Sequence, residues 1–274
     1  MKRIFHIGIF CLAFFSGCVK EAAWENGHPV PVLLVVEGTL TDERKPHAVR
    51  LSLPMGNLNE IPVPVLNAQV ILSNEDSVWY LEEDSLLPGY YMTKPYFIAQ
   101  QGKTYTLQIF YGNEVFSAQA AMEPGALFSA LTYRRNESND LYHIDFVASA
   151  FSQESPAMWE VLVDWSGVPG YEQQDPSSCR ARMLFYTLPT LDVSQIFAPS
   201  VEEISFPAGT VITERRYSLT AAHAEFIREL LLSTSWQGSL FPSANANVMG
   251  NISPGAIGFF GVCAVTEVSL VVTP

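Results

Sequence analysis

Charge is scarce in this chain, and positive charge scarcer still. Of 274 residues 16% are charged, and 15 Lys and Arg stand against 28 Asp and Glu, a formal charge of −13 at pH 7. Two more positive charges go if Lys2 and Arg3 leave with a leader. A surface so acidic repels phosphate backbones, so nucleic acid is not an expected partner, and it presents no basic patch to anionic lipid headgroups. Any hold on a membrane must then come from a spanning helix or a covalent anchor. Beyond residue 15 no apolar run reaches spanning length.

Chemistry-bearing motifs are equally thin. Cysteine occurs only at positions 11, 18, 179 and 263, without a CxxC pair, and His28, His47, His143 and His223 show no HExxH spacing, so no metal site or cofactor is expected. There is no GxSxG elbow, Walker loop or GxGxxG turn after a strand. Together these absences point away from catalysis.

What is present is apolar and turn-rich: 48% hydrophobic and 12% aromatic residues, with 17 Gly and 18 Pro spread along the chain. That balance favours many short strands and excludes coiled coils and long disordered segments. Met1-Lys2-Arg3 precedes an apolar run from Ile4 to Phe15, the form of a signal peptide. The run ends in Phe15-Ser16-Gly17-Cys18, which resembles the bacterial lipobox, with Phe15 where Leu is commonest. Residues 1–17 then form a lipoprotein signal peptide and Cys18 becomes the lipidated first residue of the mature chain, followed by a linker over 18–30. Several acyl chains, at roughly 0.8 kcal/mol per buried methylene, would make release from a membrane negligible. Val19-Lys20-Glu21 resembles the acidic, lysine-containing export signal of surface-exposed Bacteroidota lipoproteins. Two readings stand for the remaining thiols: Cys179 and Cys263 pair in a compartment that permits disulfides, or Cys263, within Phe259–Val265, is a buried small hydrophobe.

Residues 31–124 read as seven short strands in an immunoglobulin-like or transthyretin-like β-sandwich. Val49, Leu51 and Leu53 alternate with polar residues, as do Tyr105, Leu107, Ile109 and Tyr111. Gly112-Asn113 joins the latter strand to Glu114–Ala121 as a tight hairpin. Glu123-Pro124-Gly125 marks a boundary, and residues 125–274 read as a second β-rich domain. Its strands include Tyr142–Ala148, Trp159–Trp165, Arg182–Leu188 and Thr210–Ser218. A single covering helix is expected near 221–233, capped by Thr220, with Phe226, Ile227, Leu230 and Leu231 on its buried face. The closing run Gly258–Val272 is long and apolar enough for the middle of the second sheet.

Few residues invite a functional reading. Glu82-Glu83-Asp84 lacks the alternation of a calcium loop and reads as a solvated turn. Glu160 and Asp164 share a strand face but lie about 13 Å apart, beyond the roughly 5 to 9.5 Å of paired glycosidase carboxylates. The five tryptophans, Trp236 included, read as core before ligand platform, and His143 reads as a surface residue.

Several blocks recur in one family: the Cys18 lipobox; Leu34-Val35-Val36-Glu37-Gly38-Thr39-Leu40; Pro88-Gly89-Tyr90-Tyr91; Gly102-Lys103-Thr104-Tyr105-Thr106-Leu107; and, after the helix, Gly238-Ser239-Leu240-Phe241, Asn247-Val248-Met249-Gly250-Asn251-Ile252 and Gly258-Phe259-Phe260-Gly261. Their order and spacing resemble the Bacteroidota lipoproteins grouped as domain of unknown function 4249. The resemblance implies an outer-membrane, lipid-anchored accessory protein that partners a TonB-dependent β-barrel receptor in nutrient capture or uptake, and it leaves the periplasmic and the surface-facing leaflet both open. It brings no catalytic residues with it. The alternative is a surface adhesion or structural binding module without a transporter partner. The final block itself reads as fold maintenance, with glycines allowing close backbone approach and Asn251 serving exposed peptide groups.

Overall fold

Alternation of apolar and polar residues places the strands. In β1 (Leu34–Thr41) Leu34, Val36 and Leu40 are buried while Glu37 and Thr39 face solvent. The computed structural model describes residues 33–274 apart from 56, 58–59, 193–194, 196–202 and 237–247. The leader, Cys18 and the Gly238–Phe241 block lie outside the described residues.

Six further strands follow β1 before residue 122: β2 (Ala48–Ser52), β3 (Gln69–Ser73), β4 (Val78–Glu83), β5 (Tyr90–Met92), β6 (Thr104–Tyr111) and β7 (Glu114–Ala121). The hairpin at Gly112-Asn113 forms as expected, with Tyr111 opposite Glu114 and Gly112 at a φ of 61°. These seven strands take an eighth from far down the chain. β13 (Ala256–Cys263) lies parallel to β1, giving the order β13-β1-β2-β5-β4-β3-β6-β7. Leu51, Leu72, Leu107, Ile109, Phe260 and Val262 fill its interior.

The two ends of that order nearly meet, so the sheet curls into a barrel-like form. Ala118 bridges Ile252, and the Ser253 amide donates to Ser117 O at 2.8 Å. Asn251 completes the seam as a surrogate peptide. Its Nδ2 donates to Phe260 O at 2.7 Å and Gln119 O at 3.2 Å, and its Oδ1 accepts from Phe260 N at 2.9 Å. Backbones pass so closely here that a Cβ on Gly250 would stand 1.9 Å from Gly258 O, and one on Gly258, whose φ is +109°, 2.0 Å from Val36 O. The distinctive block therefore closes a sheet.

A second, antiparallel sheet has the order β11-β10-β12-β14, built from β10 (Ala157–Asp164), β11 (Arg180–Thr187), β12 (Val211–Ser218) and β14 (Val265–Val271). A hairpin of β8 (Thr132–Arg135) and β9 (Tyr142–Phe146) stands beside it. Trp159, Val161, Val163, Ile212 and Phe206 form its core with Tyr142 and Leu131. β8 has no counterpart in the sequence reading, because Thr-Tyr-Arg-Arg carries no apolar alternation. Within β9, Phe146 is exposed, not buried as its alternation implied.

The closing run is not one strand of the second sheet. It breaks at Ala264: β13 serves the first sheet and β14 stands at the end of the second. Ala264 N donates to a side chain, Ser218 Oγ at 2.9 Å, and Val265 N likewise to Asp42 Oδ1 at 2.8 Å. A continuous apolar run signals burial but not which sheet buries it. The chain leaves the first sheet at Glu123-Pro124-Gly125 and returns to it in β13 at Ala256, so the segment after residue 125 contributes to both sheets.

α1 (Ala221–Ser233) begins as expected, with Thr220 Oγ1 accepting from His223 N at 3.2 Å. It packs on β13 through His223 and Phe226, whose rings lie 4.5 and 4.9 Å from that of Phe259. Ala224 and Ile227 form the buried face with Phe226 and Leu231 partly covered, whereas Leu230 is exposed, contrary to the helical-face expectation. No helix among the described residues is long and apolar enough to cross a membrane.

Candidate functional site

Cys18, the expected lipidation site, lies outside the described residues. The two cysteines among the described residues are free thiols and both are fully buried, so the bridge between Cys179 and Cys263 is not made. β10 explains why. Cys179 sits by the Asp164 end of that strand, where Trp165 N donates to Cys179 O, and Cys263 by the other end, where Ser218 N donates to Ala264 O. Seven strand residues span about 23 Å, far beyond the roughly 4.4–6.8 Å between the α-carbons of a disulfide. Cys263 is the buried small hydrophobe of the second reading, packed with Leu188, Ile227 and Trp236.

Cys263 does approach an imidazole, its Sγ 3.9 Å from His223 Nδ1. The surroundings oppose activation of either group. Burial, with a smaller push from Asp42, raises the thiol to about 12, and burial lowers His223 to about 4. The pair rests as neutral thiol and neutral imidazole, the reverse of the thiolate–imidazolium form a nucleophile needs.

The acidic trio is not wholly the solvated turn expected: Glu82 and Glu83 end β4, only Asp84 lies in the turn, and each has its partners. Glu82 pairs with Lys94, Glu83 accepts from Asn67 N at 2.9 Å, and Asp84 Oδ1 takes the amides of Leu86 and Leu87. No three metal-ligating side chains gather among the described residues. Trp79, Trp159, Trp165 and Trp236 all pack into the hydrophobic clusters, and Trp24 lies outside the described residues. His143 is more enclosed than a surface residue: it bonds Asn136 and stands 3.2 Å from Glu203, lining a cleft of about 770 Å³ between β9 and β11 with Phe146, Arg182 and Leu184.

Glu160 and Asp164 do share a face of β10 without forming a pair. Asp164 is held by Arg180 at 2.8 Å and by Ser166. Glu160 is buried among Arg182 at 2.5 Å, Arg215 at 3.0 Å and the Tyr217 hydroxyl at 2.8 Å, and Arg215 reaches on to Glu43 in the β1–β2 loop. Burial alone would raise the Glu160 carboxyl, but the hydrogen bonds from Arg182 and Tyr217 and the two guanidinium charges outweigh it and hold the group below the usual range. It is a clamped anion tying the first sheet's loop to the second sheet, poorly suited to accept a proton near neutral pH. Nothing in the sequence couples Glu43 to Arg215, which lie 172 positions apart.

The inner face of β12 holds a second arrangement the sequence did not reveal. Glu214 and Arg216 alternate with Ile212 towards the core, yet do not pair. Glu214 accepts Leu131 N at 2.8 Å and burial raises its carboxyl towards the neutral form. Arg216 is 4% exposed, lies over the Trp159 ring with its guanidinium carbon 5.6 Å from the centroid, and donates through Nη2 to Ser155 O and Oγ at 3.2 and 2.6 Å. The only available signal was that neither alternate set of Val211–Ser218 is cleanly apolar.

A search of curated proteins finds no match. Among solved structures, the chain resembles the FN1–FN3 domains of chicken CNTN1 at 9% identity and a TM-score of 0.29, over 70% of this chain and 64% of that one. It also resembles a DUF4785 family protein from Legionella pneumophila at 12% identity and a TM-score of 0.20, over 69% and 53%. The chain thus spans less than two thirds of each, and likenesses this slight carry no argument. The family comparison reaches nearly the whole described body: the model for the domain of unknown function DUF4249 matches residues 27–269, and the chain belongs to that family.

Proposed function

We propose that this protein is a lipid-anchored accessory protein of the outer membrane that acts by contact and not by catalysis, partnering a TonB-dependent receptor in nutrient capture or uptake. In this reading Cys18 carries the acyl anchor and faces the cell surface, and the first sheet is the immunoglobulin-like or transthyretin-like body that meets the receptor. The observation that carries it is an apolar cluster at one end of that sheet. Ile61, Val63, Leu86 and Leu87 are 89, 58, 87 and 51% exposed. The β2–β3 loop and the β4–β5 turn that bear them are pinned together, since Leu51 N donates to Gly89 O, Leu53 N to Val63 O and Val65 N to Leu51 O. Exposed apolar side chains gathered in this way mark a contact surface.

Two further observations agree with the reading. The family match begins at residue 27, leaving the leader and Cys18 outside the matched body. The groups that would serve as reagents, Glu160 and the Cys263–His223 pair, are held in unreactive forms.

Fractionation of a Cys18→Ser variant tests the anchor: the altered protein should leave the envelope pellet, and its retention there would overturn lipidation. Pull-down from detergent-solubilised membranes tests docking. A β-barrel receptor should co-purify with the wild type and be lost with Ile61→Asp/Leu86→Asp; a wild type recovered alone under mild conditions refutes the partnership.

A further inference from the structure

Arg216 presents an unsolved charge. A guanidinium removed from water needs a counter-ion or a full set of acceptors, because burying an unpaired charge is costly. Ser155 satisfies Nη2, but Nη1 is buried with no partner. No carboxylate among the described residues forms an ion pair with Arg216, and burial works against its charged form. Glu214, the nearest acid along β12, is turned to Leu131 N. The Trp159 ring offers the cation its face, which lessens the deficit without neutralising it.

The same guanidinium lines a cleft of about 500 Å³ that also includes Ala221, the first residue of α1. Thr220 caps this helix by accepting the His223 amide, and its carbonyl takes Ala224 N, so the amides of Ala221 and Ala222 have no acceptor among the described residues. Free amides and the positive end of a thirteen-residue helix favour an anion there. No acidic side chain of the helix's own first turn supplies one. Buried cation and helix terminus thus converge on one space. Its walls include Pro156, Pro189 and Leu219, and two carboxylates, Glu123 and Glu154, both exposed, stand at the rim.

We propose that this cleft binds a small organic carboxylate, with its charge against Arg216 and the α1 amides and its hydrocarbon part against the proline and leucine walls. Ser155 holds Nη2, so the unpartnered Nη1 is the donor left for the ligand. The rim carboxylates select against dianions such as phosphate, since each adds like-charge repulsion, while a monoanion with an apolar body meets less repulsion and gains from burial. The site is independent of the receptor-facing cluster, so either can fail without the other.

Calorimetric titration of the mature, detergent-purified protein with butyrate tests this, with inorganic phosphate as the comparison. Butyrate should bind saturably at one site, at least tenfold more tightly than phosphate. Arg216→Met should weaken it at least tenfold. Ala221→Pro removes one amide while suiting the helix start, because Pro is favoured at the first helical position and Thr220 already has the extended φ of −70° and ψ of 160° that precedes proline. It should bind butyrate severalfold more weakly, and it decides the matter if Arg216→Met fails to fold. The proposal is overturned if butyrate gives no saturable heat up to tens of millimolar, if phosphate binds as tightly, or if either folded variant binds as well as the wild type.

Discussion

Replacing Asn251 with leucine strikes the seam of the first sheet without altering any chemistry-bearing group. The amide makes three hydrogen bonds, two of them to the backbone of Phe260, a residue with no exposed surface. Leucine has similar volume and no polar atoms, so the Phe260 N–H and C=O lose their partners in a dry place. Each unsatisfied buried group costs about 1–3 kcal/mol, giving a loss of about 2–5 kcal/mol for the pair after allowing for partial relaxation. At about 2–4 °C per kcal/mol for a body of this size, the melting temperature should fall by about 4–20 °C. Urea unfolding of wild type and variant gives the midpoints and slopes that separate lost stability from a changed unfolded state. Asn251→Asp should be comparably damaging, because it keeps the acceptor for Phe260 N but sets a negative charge against two carbonyls. A shift for Asn251→Leu within about 0.5 kcal/mol, the range of an ordinary surface substitution, would refute the view that this side chain closes the sheet.

Stability should plateau above about pH 6.5 and decline towards pH 4. Burial lowers His47 and His223 from 6.5 to about 4, so the unfolded chain takes up protons in that window before the folded one does, and each histidine contributes up to about 3 kcal/mol that is lost as pH falls through it. Glu160 acts in the same sense at lower pH, its stabilisation fully present above its ordinary 4.5 and lost below it, while Glu214, raised by burial, works in the opposite sense. A flat urea midpoint from pH 7 to 4.5, or an unchanged slope in His47→Gln, would contradict this. Cys179 and Cys263 should resist a thiol reagent at neutral pH in the folded protein and both react in urea without reductant, since both are free and buried. Failure to label either thiol after unfolding would mean that they are bridged.

Local pattern was sufficient for much of this protein. Strands such as β2 and β6 could be placed because apolar side chains recur at every second position, the shorter ones because turn residues bound them, and the Gly112-Asn113 turn because its backbone tolerates positive φ. The start of α1 was legible because a threonine hydroxyl caps it from within one turn. These features depend on neighbours a few positions apart, which a linear chain displays. The same holds for Gly250, Asn251 and Gly258 as fold-keeping residues, although not for the surfaces they join.

Tertiary structure alone decided the rest. Only pairing could show that the run through Ala264 divides between two sheets, because burial makes the same demand of both. Only packing could set Cys179 and Cys263 at opposite ends of β10, bring Glu43 to Arg215, and leave Arg216 without a counter-ion above a tryptophan ring. Charges interact through space at a few ångströms, whatever their separation along the chain, so a cluster assembled from distant strands leaves no periodic trace in the sequence.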